Sequence, residues 1–88
     1  MRVRVRIPDP LRSYTDQQKV VDASGGTVAE VLADLDRNYP GIRFRMVDEQ
    51  NRIRKHMKVF VNDESVRDLG ARIGARDEIT IMQALSGG

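Results

Sequence analysis

The sequence predicts an α+β fold, a mixed sheet with one main helix packed on one face. Two observations supply the sheet: Arg2 to Ile7 and Glu78 to Met82 alternate apolar and polar side chains, the period of a half-buried strand. A third supplies the helix: apolar residues recur at helical spacing from Val28 to Tyr39 behind a capping signal. With 88 residues the chain has room for one modest core and not for two. A domain over residues 1–83 is expected, followed by a short tail, 84–88.

In the first strand Val3, Val5 and Ile7 face one way and Arg2, Arg4 and Arg6 the other. The arginine stripe reads as a solvated sheet face, with docking of an acidic partner as the alternative. Pro8-Asp9-Pro10 ends the strand, because neither proline donates to a ladder. Leu11 and Tyr14 are expected to tuck the next loop onto the core, and Gln18 to Ala23 forms a second strand with Val21 and Ala23 inward. The short separation makes these two strands a hairpin.

Ser24-Gly25-Gly26 breaks the pattern, and Thr27 with Glu30 restarts it as a capping box that satisfies amides left unpaired at a helix start. Val28, Val31, Leu32, Leu35 and Tyr39 form the buried stripe, and Pro40-Gly41 stops the helix. Gly25-Gly26 lacks the spacing and lysine of a phosphate loop and reads as a turn. From Ile42 to His56 the pattern is less decisive. Ile42, Phe44 and Met46 alternate, Asp48 to Asn51 is a polar turn, and Arg52 to Lys55 extends a strand edge. The basic residues Arg52, Arg54, Lys55, His56 and Lys58 read as solvated surface. Met57 to Val61 is a strand, Asn62-Asp63 a hairpin pair, and Ser65 to Leu69 a short strand or turn. Gly70, Gly74 and Ala75 to Asp77 punctuate a loop that carries Ile73 inward, before the last strand.

One helix covers one sheet face. That face takes Val3, Val5, Ile7, Val21, Val28, Val31, Leu32, Leu35, Val59, Val61, Ile79 and Ile81. The last strand pairs parallel with the first in the middle of the sheet, with a right-handed crossover. This is a β-grasp. On the uncovered face Phe60 and Met82 project together near the root of the tail, a pair that suggests a partner-docking patch. The competing reading is that loop residues such as Leu11 or Phe44 cover them.

Composition excludes several functions. The chain has no cysteine, which removes disulfides, thiolate metal sites, cysteine nucleophiles and any persulfide relay on its own thiol. His56 is the only histidine; it has no second metal ligand spaced near it and no orienting acid for a triad. No metal and no bound cofactor are expected, and the chain is not expected to be an enzyme. A net charge of +2 with few aromatics gives no case for nucleic-acid binding. No apolar run is long enough for a membrane or a signal peptide, so a cytoplasmic protein is expected.

The remaining feature is the end of the sequence, Ala84-Leu85-Ser86-Gly87-Gly88. A diglycine is thin and extendable, able to enter a channel that rejects larger side chains. Directly after a hydrophobic strand, it holds the Gly88 carboxylate clear of the domain like a substrate group. The plainer alternative is a frayed terminus.

Over nearly its whole length the chain resembles the ubiquitin-like sulfur carriers of the MoaD/ThiS family. The resemblance rests on Ile7-Pro8 with Leu11-Arg12, Gly26-Thr27-Val28 with Val31-Leu32 and Leu35, and Tyr39-Pro40-Gly41. Val59-Phe60-Val61-Asn62, Asp77-Glu78-Ile79 and Leu85-Ser86-Gly87-Gly88 extend it. It implies that an E1-like enzyme adenylates the Gly88 carboxylate with ATP, and that a thiocarboxylate forms there and donates sulfur to a second enzyme. Leu85, Ser86, Gly87 and Gly88 would enter the partner's active site. The long segment from Ile42 to His56 argues against the shorter thiamine-type carriers. Ile7-Pro8, Tyr39-Pro40-Gly41 and Val59 to Glu64 are closer to the CysO-type cysteine-synthesis carriers of actinobacteria than to the molybdopterin-synthase small subunit. For that branch the acceptor is an activated serine on a PLP-dependent synthase. Three positions depart from the family pattern: Gln83 replaces a usual proline, Asp16-Gln17 a usual glycine pair, and Ala75-Arg76 a common Asp-Gly turn. They leave the fold intact and bear on which pathway the chain serves, cysteine synthesis or a related sulfur-containing metabolite, with the molybdopterin-synthase small subunit as the alternative within the family. The rival classes are a ubiquitin-like modifier joined to lysines through Gly88, and a passive binding module.

Overall fold

The computed structural model describes residues 2–84. Five strands, β1 (Arg2–Arg6), β2 (Val20–Ser24), β3 (Met57–Val61), β4 (Glu64–Val66) and β5 (Glu78–Gln83), form one mixed sheet in the order β2-β1-β5-β3-β4. β1 and β2 are an antiparallel hairpin, β5 lies parallel to β1, and β3 is antiparallel to both β5 and β4. The last strand is therefore central, as the alternation of Ile79 and Ile81 requires once it must share a core face with β1. The architecture is the expected ubiquitin-like β-grasp.

The main helix α1 (Val28–Asn38) begins where the capping box places it. Thr27 Oγ1 accepts from the Glu30 amide at 3.2 Å, and Glu30 Oε1 accepts from the Gly26 amide at 2.7 Å. Two amides of the helix entry are satisfied reciprocally. Val28, Val31, Leu32 and Leu35 are fully buried against the inward residues of β1, β2, β3 and β5. Gly25 enters this helix under close constraint: a Cβ there would lie 2.7 Å from the Val31 nitrogen, with φ at +156°. Glycine is the residue that both conditions permit.

The loop after β1 is a 3₁₀ turn, Asp9–Tyr14, that buries Leu11 and packs Tyr14 partly on the core. Asp16 and Gln17 follow with φ of 53° and 65°, left-handed values unusual for non-glycine residues. Buried Thr15 holds this turn, its hydroxyl donating to the Gln18 carbonyl at 2.9 Å.

The segment from Ile42 departs from the expected alternating strand. Ile42–Met46 is a short helix, α2. Ile42 and Met46, four residues apart, share its buried side, while Phe44 faces outward and is 55% exposed. The helix is started from outside itself: Gly41 takes φ 97°, and Asp36 Oδ1 of α1 accepts from the amides of both Gly41 and Arg43 at 3.1 Å. Beyond it Val47 and Ile53 form one antiparallel bridge around the Asp48 turn, so Arg52 to Lys55 contributes a bridge and not a strand edge. Ile53 is buried there, as is Ile73 in the later loop. Of the residues predicted to face the core, Val61 and Tyr39 are only partly buried.

Candidate functional site

The candidate site is assembled at the end of β5, the last element before the C-terminal segment. β5 is held along both edges, by β1 through Glu78 to Thr80 and by β3 through Ile79 to Gln83. Gln83 pairs with Met57, and the Ala84 amide still donates to the His56 carbonyl at 2.7 Å. Backbone pairing with the sheet thus continues through Ala84. The expected tail residues Leu85, Ser86, Gly87 and Gly88 lie outside the described residues. Four residues extend at most roughly 14 Å.

Strand alternation puts a different surface on each side of this root. On the uncovered sheet face Phe60 stands opposite Thr80 and Met82 opposite Lys58, so the two apolar side chains are diagonal neighbours on β3 and β5. Met82 is 49% exposed and Phe60 is half-buried. Neither of the loop residues considered as covers takes that role by burial: Leu11 is in the core, and Phe44 is itself exposed. The arginine stripe shares this face. Arg6 Nε lies 2.8 Å from Glu78 Oε1 and Arg2 lies 3.9 Å from Asp22, so two of its charges have acids on the sheet itself.

On the other side of Gln83 is a cleft of about 370 Å³ lined by Pro10, Leu11, Phe44, Arg45, Arg54, His56 and Gln83. The Arg54 guanidinium lies 4.7 Å from the centre of the Phe44 ring, and its Nε donates to the Phe44 carbonyl at 2.9 Å. Arg45 reaches over Tyr14 at 6.0 Å. The sequence reading takes Arg54 and His56 as solvated surface, gives Arg45 no role, and has Phe44 alternating with Ile42 and Met46. The available signal was the i, i+4 spacing of Ile42 and Met46, which leaves Phe44 outside.

Two aspartates brace the loops that flank the sheet. Asp77 accepts from the Gly74 amide at 2.7 Å and from Asn62 Nδ2 at 2.9 Å, and these two bonds hold its carboxyl below its ordinary value of 3.8. Asn62 Oδ1 in turn accepts from the Glu78 amide at 3.0 Å, fixing the β3–β4 turn to the first residue of β5. Asp48 is lowered in the same direction, chiefly by the Arg52 amide and also by that of Gln50. Among the described residues no group of three or more acids or histidines is placed to hold a metal ion, and no helix is long and apolar enough to cross a membrane.

The model of the ThiS family matches residues 5–88. The chain belongs to the ThiS family. Within it, the chain is 41% identical over 93 residues to the sulfur carrier protein CysO of Mycobacterium bovis, with the whole of each chain covered. The crystal structure of CysO from Mycobacterium tuberculosis superposes with a TM-score of 0.89 at 40% identity, covering 94% of this chain and 99% of the other. A structure from Amycolatopsis orientalis, a complex of BexX and CysO, gives 0.91 at 39% identity, covering 98% and 99%. These ThiS-family relatives are small carriers rather than enzymes, and the similarity supports a sulfur-carrier role.

Proposed function

We propose that the Gly88 carboxylate is the working group of this carrier. An E1-like enzyme adenylates it: a carboxylate oxygen attacks the α-phosphorus of ATP, pyrophosphate leaves, and a mixed anhydride with AMP is formed. A sulfide equivalent then adds to the acyl carbon and AMP departs, leaving a thiocarboxylate. The carboxylate itself is a poor electrophile, so activation supplies the leaving group that the chain cannot. The thiocarboxylate is ionised and nucleophilic at neutral pH, and it delivers sulfur to a biosynthetic enzyme for cysteine or a related sulfur-containing metabolite. A PLP-dependent synthase carrying an activated serine is the acceptor this reading names. ATP is consumed on the activating enzyme, and the carrier itself holds no cofactor.

The observation that carries the proposal is the placement of β5. A central strand paired on both edges brings the chain to Ala84, from which four further residues end in Gly87-Gly88. Such a strand holds the root of the C-terminal segment fixed, which a partner needs in order to position the proposed reacting group. Phe60 and Met82 at the root are the patch proposed to dock partners, an apolar pair of the kind that anchors interfaces. The A. orientalis relative is seen in complex with BexX, which supports reading this chain as one that works by association.

The experiment is intact-mass measurement after incubation with an E1-like activating enzyme, ATP and a sulfide source. Exchange of one oxygen for sulfur is the expected product, and a chain lacking Gly88 should give none. Lysine-linked adducts in place of that exchange would identify a protein modifier and overturn the reading.

A further inference from the structure

The segment between α1 and β3 puts an exposed aromatic ring and a set of unpaired cations beside the tail root. Phe44 is the most exposed large apolar side chain among the described residues, although its neighbours Ile42 and Met46 are completely buried. Its exposure is imposed by the helical turn, and Arg54 is stacked on it. Arg45, Arg54 and His56 line the same cleft, and the lining contains no carboxylate. Among the described residues Arg45, Arg54 and Lys55 take part in no ion pair; Arg4, Arg43 and Arg52, among others, have none either, and what distinguishes Arg45 and Arg54 is that both line this one cleft.

The surface is also held in shape. The Arg54 amide donates to Met46 and its Nε to Phe44, both at 2.9 Å. The Arg67 guanidinium reaches the carbonyls of Ile53 and Met57 at 2.8 and 3.2 Å. Asp48 closes the intervening turn through the amides of Gln50 and Arg52. An aromatic anchor within a cationic rim, fixed before any partner arrives, loses little freedom on binding.

We propose that residues 42–56 form a second docking surface, which takes an acidic segment bearing an aliphatic side chain on the enzyme that handles the tail. The aliphatic group would pack on Phe44 while carboxylates meet Arg45, Arg54 and Lys55. Charge complementarity selects this occupant: a basic partner would be repelled, and a neutral one would leave the cations with no counterpart. The inference rests on the carrier reading for the identity of the partner, though not for the chemistry of the surface. It divides recognition in two, an apolar patch on one side of β5 and a charged one on the other.

The test has two arms. In the first, the ¹⁵N-labelled full chain is titrated with a synthetic peptide alternating glutamate and leucine, and with its lysine-for-glutamate counterpart. Shifts are expected at Phe44, Arg45, Arg54, His56 and Gln83 with the acidic peptide alone, fading as salt is added. Phe44→Ser, at an exposed position, should weaken binding about tenfold, and Arg4→Gln on β1 should leave it unchanged. Equal response to the lysine peptide, shifts centred on the β1 arginines, or indifference to Phe44→Ser would overturn the proposal. So would the same shifts arising on deletion of residues 85–88, which would make the tail the occupant. In the second arm, Phe44→Ser should raise KM for the carrier in the sulfur-loading or sulfur-delivery reaction with kcat unchanged. An unchanged KM in both reactions would count against it. If the wild-type chain accepts no sulfur while the acidic peptide still binds, the carrier chemistry fails and the surface stands.

Discussion

Replacing Asn62 by alanine tests how the root of the tail is held, because this residue does two separable things. Its φ of 55° is left-handed, a region that costs an ordinary L-residue about 1 kcal/mol or somewhat more. Its side chain also donates to Asp77 at 2.9 Å and accepts from the Glu78 amide at 3.0 Å, joining the β3–β4 turn to the start of β5. Those two bonds are exposed, so each contributes near the low end of the usual range, about 0.5 kcal/mol. Asn62→Ala should therefore lose about 2 kcal/mol, a fall in Tm of about 10 °C for a domain of this size. Asn62→Gly relieves the backbone cost without restoring the bonds and should lose roughly half as much. Urea denaturation of the three proteins, with m unchanged, measures the difference. Equal losses for alanine and glycine would refute the backbone part of the reasoning, and no loss in either would refute the whole.

Gly25→Ala should destabilise by about 1–3 kcal/mol in the same assay, because the new Cβ meets helix backbone 2.7 Å away in a conformation L-residues avoid. Phe60→Asp should weaken association with the activating enzyme at least tenfold while leaving the urea midpoint nearly unchanged; unaltered affinity would remove Phe60 from the docking patch. Acid titration of stability gives a further check. Asp77 is lowered in the folded state, so its contribution is complete above the ordinary carboxylate value of 3.8 and disappears as pH falls through the folded-state value. Asp77→Asn should flatten the pH dependence in that acidic window and nowhere above it.

What the sequence makes legible here is what short-range chemistry determines. The capping box at Thr27 and Glu30 lies within four residues and marks the start of α1 directly. The alternation of Val3, Val5 and Ile7, and that of Ile79 and Ile81, identifies two strands whose inward residues must share one core, which makes the parallel central pair the economical solution. Ile42, Phe44 and Met46 were not resolved by the same reasoning. Residues i, i+2 and i+4 satisfy a strand by alternation and a helix by its first and last members, and five residues are too few for periodicity to decide. The deciding groups are remote: Asp36 caps the turn from α1, and Gly41 supplies the left-handed entry. The site was legible to the same extent. Phe60 and Met82 follow from strand register, whereas the cleft of Phe44, Arg45 and Arg54 depends on a helix that the local pattern did not specify.

The central claim is that residue 88 carries the chemistry, and fragment mass spectrometry addresses it directly. The chain would be loaded with an activating enzyme, ATP and a sulfide source, then cleaved so that its C-terminal peptide is isolated. Sulfur in place of one oxygen on that peptide's terminal glycine, dependent on ATP, is the predicted result. A C-terminal peptide of unaltered mass after complete ATP-dependent turnover, or sulfur found elsewhere in the chain, would contradict the account.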